Sequence, residues 1–111
     1  ALFGNSMNFP IMDVADIWGN PDLGKEFRAP IRSAVPALFI SGTLDVNTPP
    51  GQAAEIVVSF KNGHHVIVEY AGHEDTLPNE EVQKIIVNFF NGQKPTATSI
   101  ALPKPRFKPV D

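Results

Sequence analysis

The chain reads as an α/β protein built on a βαβα unit with two parallel strands, an irregular N-terminal segment and an extended Pro-rich tail. Three observations predict this. Two short apolar runs, Pro36-Ala37-Leu38-Phe39-Ile40-Ser41-Gly42 and His65-Val66-Ile67-Val68-Glu69-Tyr70-Ala71, are rich in strand formers. Each is followed by a segment with apolar residues at helical spacing. The order strand, helix, strand makes a parallel, right-handed crossover the default connection.

Residues 1-35 are punctuated by Pro10, Pro21, Pro30 and several Gly and Asn residues, so only short helical pieces such as Met12–Trp18 are expected in what reads as a connector. The unit proper spans 36-92. Strand 36-42 starts on Pro36, where a missing N–H is tolerated. Thr48-Pro49 then reads as a helix N-cap followed by proline at the first helical position. Ala53, Ile56, Val57 and Phe60 form that helix's apolar stripe, and Asn62-Gly63 should end it. Strand 65-71 follows. The second helix has Asn79 as cap, Glu80 and Glu81 at its positive end, and Val82, Ile85, Ile86, Phe89 and Phe90 on one face before Gly92. The tail, 93-111, carries Pro95, Pro103, Pro105 and Pro109 and should lie extended over the surface. No internal repeat is seen.

Composition narrows the function classes. The chain has 111 residues, 42% hydrophobic and 19% charged, which is globular rather than disordered. A formal charge of −3 without a basic cluster argues against nucleic acid as a partner. No cysteine is present, so disulfides and thiolate metal sites are excluded. No cofactor-binding motif occurs. The chain opens on Ala1, with neither a charged-then-apolar leader nor a long apolar run after it, and a processed or excised segment is expected.

The chemistry-bearing residues sit at the strand exits. Asp45 follows the first strand and His73 the second, and open α/β sheets keep their functional groups just past the C-terminal strand ends. An ionised carboxylate beside an imidazole fixes one ring tautomer and lets the other ring nitrogen take a proton from a hydroxyl nucleophile. The nucleophile itself is missing. No G-x-S-x-G occurs: Gly4-Asn5-Ser6-Met7-Asn8 lacks the second glycine and a preceding strand. Ser41 falls inside a strand, Ser33 in a proline-flanked connector, Ser59 in a helical pattern and Ser99 in the tail.

Each candidate has a plainer reading. An aspartate before Asn47-Thr48-Pro49 is a good turn former, and a lone loop histidine is commonly just solvated. His64 and His65 read as surface or packing residues. With His73, Glu74 and Asp75 they match no zinc spacing, so no metal is expected. Trp18 and Phe27 suit core or cover packing better than a substrate cleft. Glu74 and Asp75 suit a solvated loop pair better than an anchor for a substrate amine. Gly72 would let the chain turn sharply ahead of His73.

Asn8-Phe9-Pro10, Pro21-Asp22-Leu23-Gly24-Lys25-Glu26-Phe27-Arg28-Ala29-Pro30, Ser41-Gly42-Thr43-Leu44-Asp45 with Thr48-Pro49, and Ala71-Gly72-His73 together resemble the C-terminal region of α/β-hydrolases of the tripeptidyl aminopeptidase and proline iminopeptidase type. The resemblance implies that Asp45 is the acid and His73 the base of a Ser-Asp-His triad. It also implies that the elbow serine, oxyanion donors and lid belong to an N-terminal half, with 1-35 leading in from the lid region. At 111 residues the chain is too short for the eight or so strands of a whole hydrolase of this kind. The resemblance admits a secreted or periplasmic location. The implied partners are that N-terminal half and a peptide or ester substrate. The chain alone is expected to be inactive.

Two readings follow: the C-terminal fragment of a serine hydrolase, or a non-catalytic hydrolase-derived interaction module. An upstream G-x-S-x-G in the gene favours the first, and a start codon just before Ala1 the second. Because strand 36-42 is internal in the resembling hydrolases, self-association through its exposed edge is a further expectation.

Overall fold

A computed structural model describes residues 21-109 together with Ile17 and Gly19. The remainder of the Met12–Trp18 piece, including Trp18, and the segment around Ser6 lie outside the described residues. Ile17 is helical and exposed.

Strands β1 (Ala37–Gly42) and β2 (Gly63–Glu69) pair in parallel, with Ala37 opposite Gly63 and Gly42 opposite Val68. A third strand, β3 (Ser99–Ala101), pairs in parallel with the far side of β2, giving the order β1-β2-β3. Two strands were expected, and the tail was expected to lie over the surface; instead part of it completes the sheet. The reason is local. β2 has a free edge, Ile67 N–H donates to Thr98 O at 2.9 Å and Leu102 N–H to Glu69 O at 3.0 Å, and Ile100 buries its side chain between these bonds. Among the described residues no strand pairs with the other edge of β1.

The even-numbered face of the sheet carries the core. Val66, Val68 and Ile100 bury against Val82 and Ile85 of helix α2 (Glu80–Phe90), with Leu38, Ile40 and Ile86 packed around them. Fully burying each such side chain contributes about 1.5–3 kcal/mol. α2 starts where the sequence says it should: Asn79 Oδ1 accepts from the backbone N–H groups of Glu81 and Val82, and two glutamates lie in the first turn. It ends in a Schellman motif. Gln93 N–H reaches Asn88 O, Gly92 N–H reaches Phe89 O, and Gly92 takes φ +81°.

Helix α1 (Pro50–Val57) lies against the odd-numbered face, where a side chain at Gly63 would strike Val57 and Phe60, and where Phe39 and Phe60 meet edge to face at 5.5 Å. Its boundaries differ from expectation at both ends. Pro49 is the cap and Pro50 the first helical residue, because a residue preceding proline is pushed out of helical geometry; Pro49 has ψ 153°. Thr48 is therefore no cap. At the other end the helix stops at Val57, after which the chain runs through Phe60, which bridges to Ser33. β2 consequently starts at Gly63, two residues early, and ends at Glu69, leaving Tyr70 and Ala71 to the loop that carries His73.

In the N-terminal segment, a 3₁₀ turn spans Lys25–Arg28, with Arg28 and Asp22 paired at 2.7 Å on the surface. Phe27 is 71% exposed, so the core or cover packing expected of it is not found: the short 3₁₀ turn leaves its ring at the surface. No helix among the described residues is long and apolar enough to cross a membrane.

Candidate active site

Because β1 and β2 run parallel, both chains leave the sheet at the same end, and their exit loops are lashed together. Thr43 N–H donates to Val68 O at 3.0 Å, Leu44 N–H to Ala71 O at 2.9 Å, and Tyr70 N–H to the Thr43 hydroxyl at 2.8 Å. Gly42 makes this approach possible: a Cβ there would lie 2.3 Å from Ala71 O. The sharp turn before His73 falls at Tyr70, which holds φ +63°, and not at Gly72. Gly72 contributes differently, its N–H donating to Asp75 Oδ2 at 2.8 Å in the turn that presents His73.

Asp45 is only 7% exposed and has all of its acceptor capacity in use. Oδ1 accepts from the backbone N–H groups of Asn47 and Thr48, both at 2.9 Å. Oδ2 accepts from the Thr48 hydroxyl at 2.6 Å and from His73 Nδ1 at 2.9 Å. The plain and the catalytic readings of this aspartate thus use different oxygens: one shapes the turn, the other holds the histidine. The Thr48 hydroxyl, the Thr48 amide and the His73 ring, in that order, hold the Asp45 carboxyl well below the usual carboxylate range.

The His73 side chain is about half exposed. Its hydrogen bond to Asp45, then the charge of Asp45 and, more weakly, that of Glu74, raise its pKa above the ordinary 6.5. An ionised carboxylate only accepts, so the proton of the neutral ring sits on Nδ1 and Nε2 is left as an acceptor. That is the state a general base for a hydroxyl nucleophile requires.

The other sequence candidates separate from this pair. His65 Nε2 meets the buried Ser41 hydroxyl at 3.0 Å within the sheet, and His64 packs edge to face on Phe89. The Ser33 hydroxyl accepts from Val35 N–H. Among the described residues no serine hydroxyl bonds to His73, and no three His, Asp or Glu side chains converge as a metal site. Asp75 is committed to the Gly72 turn. A cavity of about 610 Å³ lined by Arg32, Ser33, Ser59 and Lys61 touches neither Asp45 nor His73. The residue that sequence reasoning missed is Thr48. The signal was present in the spacing Asp45-x-x-Thr48, which suits an aspartate accepting from a residue three places on.

Comparison with curated proteins finds no match, and neither does comparison with solved structures. The family model described as TAP-like protein, however, matches residues 3–100, a stretch that contains β1, β2, both helices and the two loops that meet at Asp45 and His73. With nearly the whole chain covered, the protein belongs to the TAP-like family of α/β-hydrolases.

Proposed function

We propose that this chain supplies the acid and the base of a Ser-Asp-His triad in a serine hydrolase of the peptidase or aminopeptidase type, with the nucleophile and oxyanion donors carried by an N-terminal half of the same protein. The observation that supports this is the 2.9 Å contact between Asp45 Oδ2 and His73 Nδ1 at the ends of adjacent parallel strands. In this scheme His73 Nε2 takes the proton of the serine hydroxyl as its oxygen attacks the carbonyl carbon of a peptide or ester. The imidazolium that forms is stabilised by Asp45. Nε2–H then protonates the leaving amine or alkoxide, the acyl-enzyme forms, and water repeats the cycle with His73 again as base.

The test is to express the product of the complete reading frame beside the 111-residue chain and treat both with a fluorophosphonate probe, an aminoacyl-4-nitroanilide and p-nitrophenyl acetate. The longer product should label and turn over, both should collapse in His73→Ala, and the chain alone should leave substrates at the buffer rate. Saturable turnover by the chain alone, or labelling of the longer product that is indifferent to His73→Ala, refutes the assignment; a reading frame with no elbow serine points to a non-catalytic module.

A further inference from the structure

The Asp45 carboxylate is nearly buried, and the half-exposed His73 is one of four donors to it. A carboxylate offers about four acceptor sites, two on each oxygen. Both sites on Oδ1 are filled by the amides of Asn47 and Thr48, so the carboxylate can meet the histidine only through Oδ2. Oδ2 has two sites. The Thr48 hydroxyl fills one at 2.6 Å, and its oxygen lies 3.4 Å from His73 Nδ1, within reach as a weaker second acceptor.

We propose that Thr48 is a positioning residue for the Asp45–His73 pair: its hydroxyl takes one site on Asp45 Oδ2, so that the single site left open faces His73 Nδ1. With Oδ2 held against Nδ1, the ionised carboxylate keeps the ring proton on that nitrogen; where the contact loosens, the ring is free to take its other tautomer. Thr48 is free for this role because the two prolines after it move the helix start one residue on, leaving its side chain with no capping bond. Its consequence for turnover rests on the hydrolase reading above; its consequence for the histidine does not.

The experiment compares Thr48→Val, which keeps the shape and loses the hydroxyl, with Thr48→Ser, which keeps the hydroxyl. Ring ¹⁵N shifts of His73 above its pKa report the tautomer in the chain itself. The wild type should be wholly Nδ1–H, Thr48→Val a mixture of Nδ1–H and Nε2–H, and Thr48→Ser like the wild type. Should Thr48→Val not fold, Thr48→Ala must give the same mixture. In the complete reading-frame product, Thr48→Val should lower kcat between about tenfold and a hundredfold with KM unchanged, the size expected for a small misplacement of a catalytic group. A Thr48→Val ring that stays wholly Nδ1–H with its titration unmoved overturns the proposal, as does a mixture that Thr48→Ser fails to restore. A tautomer change in a chain whose longer product shows no turnover upholds the positioning role and removes the hydrolase reading instead.

Discussion

Replacing Gly42 by alanine tests how the site is held together. The new Cβ would lie 2.3 Å from Ala71 O and 2.9 Å from Ala71 C, both backbone atoms that no rotamer change can move. Normal van der Waals separation requires the Ala71 loop to retreat by roughly 1 Å. Overpacking of this kind costs about 1–3 kcal/mol. The retreat also strains the Leu44 N–H to Ala71 O bond, at 2.9 Å, which adds about 1 kcal/mol if lost. The sum, about 2–4 kcal/mol, is a large share of the roughly 5–15 kcal/mol that holds a domain of this size folded. At about 4 °C per kcal/mol the thermal midpoint should fall by some 8–16 °C. Because His73 follows Ala71 by two residues, its ring resonances should shift as well. Circular dichroism melts of Gly42→Ala are read against Gly51→Ala, where a Cβ meets nothing within 4 Å. A Gly42→Ala midpoint within about 1 °C of wild type, with His73 signals unmoved, refutes the claim that close backbone approach at Gly42 sets the loop.

Three further substitutions probe the charge pair and the third strand. His73 should titrate above 6.5 by NMR, and Asp45→Asn, which removes the carboxylate charge that raises it, should bring the value down toward the ordinary one. Since the folded pKa of His73 is raised, its contribution to stability is full below the unfolded value and disappears as pH rises through the folded one; that of Asp45, whose pKa is depressed, is present above 3.8 and fades as pH falls through its folded value. Urea midpoints across that range should therefore fall on the alkaline side, and His73→Ala should flatten the decline. Ile100→Ala should cost about 2–5 kcal/mol and speed amide exchange at Ile67, which donates to Thr98 O; an unchanged exchange rate there would show that β3 does not depend on this side chain.

Elements whose signals are local and repeated were legible from the residues alone. The α2 cap at Asn79, its stripe of Val82, Ile85 and Ile86 and its stop at Gly92 lie within one short stretch, and each acts through neighbours two to four positions away. The two parallel strands and the exits carrying Asp45 and His73 were legible for the same reason, within two residues at their ends. Tertiary structure decided what depends on partners remote in the chain. Ser99–Ala101 is too short to announce itself as a strand, and it becomes one because β2 presents a free edge that accepts Ile100. Thr48 and Pro49 read alone as a cap and a helix start, but the second proline displaces the helix, and the released hydroxyl finds Asp45, whose other neighbour on that oxygen is His73, 28 residues downstream. Local periodicity specifies which elements form; the bond that joins the acid to its histidine exists only because two parallel strands end side by side.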